Sequence, residues 1–111
     1  MRGLFAILIC GLASAYSAAA VAGGDIAAGQ AKAKAVCGAC HGENGDKPLQ
    51  PEYPVLAGQH VDYLAKALKD YKSGARKNAI MGGQAQALSA KDIDDVTAWF
   101  SSRTGPLYVK H

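Results

Sequence analysis

Beyond its first two dozen positions the chain has no alternating run of β-branched and polar residues, so nothing in it reads as a half-buried strand. It shows no internal repeat. It also lacks an apolar run approaching the roughly 20 residues that a bilayer-spanning helix needs. Charge is nearly balanced: with Arg2 set aside, 11 basic residues face 9 acidic ones. That balance is too mild to imply nucleic acid or a membrane surface as partner. Cysteine is sparse, and of the three in 111 residues only Cys37 and Cys40 lie outside the N-terminal stretch. Methionine is scarcer, with Met81 the only one after Met1. The length argues for a single domain.

What is present at the start is a leader. Arg2 gives a short positive region, Leu4 to Ala13 is apolar, and small residues crowd Ala13 to Gly24 with A-x-A patterns at Ala18–Ala20 and Ala20–Ala22. That order marks a cleaved secretory signal, residues 1–22, ahead of a domain over residues 23–111, with cleavage near Ala20 or Ala22. An uncleaved anchor is the competing reading. Cys10 follows Ile9 where a lipoprotein site would need a small residue, so it reads as part of the apolar stretch. Export points to the periplasm. About 90 residues then remain, a size at which a disulfide, metal or cofactor often supplements the core.

Helical patterning accounts for three stretches, and the fold class is all-α. The first is capped by Asp25 and runs to about Cys40. The second carries Val61, Leu64, Ala67, Leu68 and Tyr71 at helical spacing and stops at Gly74. The third starts at Ser89-Ala90-Lys91-Asp92, a capping-box pattern, and carries Ile93, Val96, Trp99 and Phe100 on one stripe. Two long segments remain, 42–59 and 75–88, and both read as loops. Loops of that length in so small a domain need something to wrap around.

Cys37-Gly38-Ala39-Cys40-His41 supplies it. C-x-x-C-H is the attachment pattern of a c-type haem. Positions i, i+3 and i+4 share one face of a helix, so two thiols can each bond a porphyrin vinyl group while His41 offers its imidazole to the iron. A thioredoxin-like pair would need strands around the motif. A disulfide would be strained at a three-residue step within a helix. Zinc would need four ligands, and only His60 and His111 remain, at unsuitable spacing. Met81 is ordinarily read as core filler. Beside a haem, its thioether is a soft ligand that suits iron and raises the potential. That makes Met81 the candidate sixth ligand, with His60, at the start of the second helix, as the alternative.

The sequence resembles a class I cytochrome c of the short bacterial monohaem kind, similar to cytochrome c-553 or to one half of a cytochrome c4. The resemblance covers Asp25 to about Ser102. It rests on Cys37 to Gly42, Tyr53-Pro54-Val55-Leu56-Ala57-Gly58-Gln59, Tyr63-Leu64, Met81, and Val96-Thr97-Ala98-Trp99-Phe100. It implies three main helices around one covalently bound haem c with His41 and Met81 as axial ligands. It implies that the Pro54 carbonyl accepts from His41, although Pro54 taken alone only stiffens a loop. It also implies that Gly29 and Trp99 meet where the first and last helices cross. Ala33 departs from the family, where an aromatic is frequent. The function implied is that of a soluble, monomeric single-electron carrier, not an enzyme, passing electrons between redox proteins: a donor and an acceptor such as an oxidoreductase, oxidase or reductase. A haem sensor or enzyme with an open iron position, and a haem-free thiol oxidoreductase, are the alternatives. Lys66, Lys69, Lys72 and Arg76 share one face of the second helix and read first as an ordinary solvated face, second as a docking patch.

Overall fold

The computed structural model describes Gly11 and residues 23–107. Apart from Gly11, the leader expected at residues 1–22 lies outside the described residues, as does His111. Five α-helices follow one another: α1 (Ile26–Val36), α2 (Gly38–His41), α3 (Val61–Ser73), α4 (Ala79–Gln86) and α5 (Ala90–Ser101). No strand occurs among the described residues, and the fold is all-α.

The helix ends follow local chemistry. The Asp25 carboxylate accepts the Ala28 N–H at 3.0 Å and caps α1. α3 stops at Gly74, whose φ of 85° is the left-handed conformation that glycine adopts at least cost. At α5 the Ser89 hydroxyl accepts the Asp92 N–H while the Asp92 carboxylate accepts the Ser89 N–H, both at 3.0 Å.

Two boundaries depart from the sequence reading. The first helix does not run unbroken to Cys40: it ends at Val36, and Cys37 forms the joint to the short α2. The joint is slight, since the His41 N–H still reaches the Cys37 carbonyl at 3.1 Å, the i→i+4 bond of a helical turn. The second departure is larger. Segment 75–88 is not a loop, because α4 occupies its middle. The Asn78 side chain accepts from both the Ile80 and Met81 N–H groups at 3.0 Å, and this cap starts a helix in spite of Gly82 and Gly83. α4 is then pinned by its C-terminal end. Ala85 and Leu88 are buried, Gln86 donates to the Lys72 carbonyl at 2.5 Å, and Lys72 donates to the Leu88 carbonyl.

The structural frame is the crossing of α1 and α5. A Cβ placed on Gly29 would fall 1.9 Å from the Asp95 carbonyl oxygen and 3.0 Å from Trp99 Cβ, so only glycine allows this approach. The core around it is Ala33, Leu64, Val96, Trp99 and Phe100. Ala33 is fully buried, and the packing closes around its small side chain. A buried carboxylate ties the same two helices together: Asp95 accepts the Asp25 N–H at 2.8 Å and the Lys91 ammonium at 2.5 Å. The bond from Lys91, then that from the Asp25 N–H, holds the Asp95 carboxyl below the usual carboxylate range.

Segment 42–59 remains irregular but is well tied. The Leu56 and Ala57 N–H groups both donate to the Gly45 carbonyl, at 2.7 and 3.1 Å. The Gly58 N–H reaches the Phe100 carbonyl at 2.9 Å, and the Trp99 indole N–H reaches the Glu43 carbonyl at 3.1 Å. The loop is thereby stitched to the inner face of α5.

Candidate functional site

The loop, α2, α3, α4 and α5 enclose a cavity of about 610 Å³, within the range of sites that take small molecules and cofactors. Leu64, Val96 and Phe100 belong both to the core and to its wall, so the cavity is a continuation of the hydrophobic core. Cys37, Cys40, His41, Pro54 and Met81, the five candidates from the sequence, all line it. His60, the alternative sixth ligand, does not; it is the exposed residue preceding α3.

His41 is the most constrained of these side chains. It is buried, and its Nδ1 lies 2.9 Å from the Pro54 carbonyl oxygen. Since a carbonyl can only accept, Nδ1 must carry the proton and donate. Nε2 is then the nitrogen with a free lone pair, the tautomer a metal-bound histidine needs. The Tyr53 ring sits beside it, with centroids 6.2 Å apart.

The two cysteines are free thiols, both partly buried. Burial pushes the Cys37 thiol up to about 11, against the opposing pull of Lys32. A thiol that stays protonated at neutral pH is the reverse of what disulfide exchange requires. This argues against the thiol-oxidoreductase reading. The pair instead stands one helical turn apart at the edge of an apolar cavity, with the imidazole one residue further on.

Met81 enters the cavity from the first turn of α4, so its position on a helix corrects the expectation of a loop residue. The fit to a haem is therefore complete in kind: two thiols and an imidazole on one turn, an apolar wall, and a thioether on a separate helix.

Sequence reasoning missed the polar part of the wall. Arg76, Asn78 and Gln84 all line the cavity, beside Tyr71 of the stripe expected on the second helix. The sequence groups Arg76 with Lys66, Lys69 and Lys72 as a surface face, but that face is not uniform. Lys66 pairs with Asp70 at 2.5 Å, Lys72 is spent on the Leu88 carbonyl, and Arg76 stacks on Tyr71 with its guanidinium carbon 4.8 Å from the ring centroid. The missed signal is positional. Arg76 lies past Gly74, where the chain has already left the helix axis.

Comparison with known proteins agrees with this geometry. The profile of the family described as cytochrome c matches residues 26–104. A cytochrome c4 of Pseudomonas aeruginosa is 51% identical over 82 residues, covering 74% of this chain and 40% of the relative. Cytochrome c-554(548) of Halomonas halodenitrificans is 46% identical over 83 residues, covering 72% of this chain and 98% of the relative. A protein of Thiomonas intermedia named as a thiosulfate dehydrogenase electron acceptor is 42% identical over 67 residues, covering 60% of this chain and 31% of the relative. Among solved structures, reduced cytochrome c4 from Pseudomonas stutzeri superposes with a TM-score of 0.68 at 45% identity, over 74% of this chain and 47% of that one. The chain thus spans about half or less of the length of the cytochromes c4 it matches.

Proposed function

The chain belongs to the cytochrome c family, and from that premise we propose that it is a soluble periplasmic single-electron carrier with His41 and Met81 as the axial ligands of its iron. Its cofactor is haem c, covalently bound. When bound, haem c supplies a one-electron iron couple whose potential its axial ligands and surroundings tune.

The protein's part is to hold that couple fixed. Cys37 and Cys40 would hold the group through two thioether bonds, and they line the same cavity as Leu64, Val96 and Phe100 of the core wall. The Pro54 carbonyl keeps the proton on His41 Nδ1, so Nε2 would be the nitrogen that binds the metal. Met81, which lines the cavity from α4, would offer its thioether sulfur as the second side-chain ligand. With an imidazole and a thioether both supplied by side chains, the iron would have no open place for a substrate, which suits a protein that moves electrons without making or breaking bonds. The observation that carries this reading is the buried His41, fixed through Nδ1 at 2.9 Å from Pro54, in a cavity that also receives the only internal methionine.

Among the described residues no helix is long and apolar enough to cross a membrane. Export through residues 1–22 and action as a monomer are part of the proposal. So are a redox-protein donor and acceptor, with no role for nucleic acid or for insertion in a membrane. A low-spin absorption spectrum with a methionine–iron charge-transfer band in the protein purified from periplasm is the expected result. A high-spin spectrum that changes on adding carbon monoxide to the reduced protein would establish the sensor or enzyme reading instead.

A further inference from the structure

Among the described residues three polar side chains are buried: His41, Asp95 and Thr97. His41 is the proposed ligand and Asp95 ties α1 to α5, which leaves Thr97 without a part. It is the most deeply buried of the three, 1% exposed, and it lines the cavity from α5 together with Val96 and Phe100.

A hydroxyl at this place needs a reason. Valine has the same branched shape and would extend the apolar wall. The fold does not require the hydroxyl either. Its proton is shared by two carbonyls of the preceding turn, Ile93 at 2.7 Å and Asp94 at 3.1 Å. Carbonyls inside a helix already accept from its own N–H groups, so removing the hydroxyl orphans no backbone group. Back-bonding of this kind slightly destabilises a helix.

What the bond does provide is a fixed dipole. A hydroxyl has one proton, and here that proton is turned to the α5 backbone. The negative end of the dipole is therefore turned away from that backbone, on the side of the cavity. In an apolar wall a dipole acts on a nearby charge far more strongly than in water. We propose that Thr97 is a tuning residue for the iron couple, its oriented hydroxyl favouring the oxidised, more positive state and holding the reduction potential down. The inference rests on the haem reading of the cavity. Thr97 makes and breaks no bond; it acts through its field alone as one electron enters or leaves the iron.

The test compares redox titrations, absorption spectra and thermal unfolding of wild-type, Thr97→Val and Thr97→Ser holoproteins. Valine keeps the shape without the hydroxyl, and serine keeps the hydroxyl without the methyl group. Thr97→Val should lower the ratio of oxidised to reduced protein at a fixed ambient potential by about threefold, the scale of one oriented dipole in a low-dielectric wall. Thr97→Ser should stay near wild type. Stability should sort the other way: Thr97→Val should melt at or above wild type, and Thr97→Ser, which leaves a methyl-sized gap, should melt below it. A merely structural role would make the potential follow the melting temperature. Equal shifts of potential in the two variants, or no shift with valine, overturn the proposal. The methionine–iron band reports separately on the electron-carrier reading. Its absence from the wild-type spectrum would remove that reading, while titration of the iron would still decide the role of Thr97.

Discussion

Replacing Gly29 by alanine sets helix propensity against helix packing, and the structure says which wins. By propensity alone, the change should stabilise α1 by about 1 kcal/mol. The new Cβ, however, would stand 1.9 Å from the Asp95 carbonyl oxygen and 2.5 Å from its carbon, where ordinary contact begins at about 3.4 Å. Both atoms are backbone, so no rotamer change relieves the clash and α1 must move away from α5. That separation loosens the packing around Trp99 and lengthens the 2.8 Å bond from the Asp25 N–H to Asp95. A clash against backbone puts the cost of overpacking at the upper end of its usual range, about 3 kcal/mol. After the propensity gain, the net loss is about 2 kcal/mol, a fall in Tm of roughly 8–16 °C for a domain of this size. Gly83→Ala is the matched control: Gly83 lies in α4, and a methyl added there would meet nothing within 4 Å, so the same substitution should raise Tm slightly. Thermal unfolding of the oxidised holoproteins, followed by circular dichroism, checks both. If Gly29→Ala melts at or above wild type, the close crossing is wrong.

Three further outcomes follow from the same contacts. Cys37→Ala or Cys40→Ala should sharply reduce the yield of holoprotein, measured as haem absorbance per mole of purified chain, because one of the two covalent anchors is lost. Asp95→Asn should destabilise the protein near neutral pH, since Asp95 loses its charged bond to Lys91. The folded carboxyl titrates below the unfolded value of about 3.9, so its contribution is present above that pH and fades below it. Urea midpoints of wild type and variant should therefore converge as pH falls below about 4, and a constant gap would refute the assignment. Met81→Ala should lower the reduction potential and let cyanide bind the oxidised protein readily, because a thioether favours reduced iron. An unchanged spectrum and potential would return Met81 to the role of core filler.

Much of the fold is legible in the sequence because its signals are local. Asp25 and the Ser89–Asp92 box mark helix ends through bonds made within a few residues, Gly74 does so through its left-handed backbone, and Ile93, Val96, Trp99 and Phe100 are all buried as their spacing requires. α4 is not legible, for an equally physical reason. Two adjacent glycines carry a strong penalty in any propensity sum, while the forces that offset it are distant in sequence. The bonds from Gln86 to Lys72 and from Lys72 to Leu88 span 14 and 16 residues. Periodicity also overstates Val61, which is 42% exposed because it lies in the first turn of α3, before the stripe is covered. In the site, the C-x-x-C-H motif locates three residues at once. Arg76 carries no motif, and its place at the rim depends on how the chain turns after Gly74.

The two residues proposed as axial ligands are controlled in different ways, and the difference bears on what can tune the iron. His41 is fixed through its side chain: it is buried, with the Pro54 carbonyl bonded to its ring nitrogen. Met81 is fixed through its backbone, because the Asn78 side chain accepts its N–H and so sets where α4 begins. An unbranched thioether with three rotatable bonds can then adjust within the cavity, whereas the imidazole cannot turn without breaking the bond to Pro54. Flanking Gly82 and Gly83 add no side chains against which the methionine could be wedged. The histidine side of the site is therefore the rigid reference, and the methionine side is where changes in α4 would be felt. Loosening the Asn78 cap would act on the iron through the position of a helix, while altering segment 53–56 would act through the orientation of a single ring.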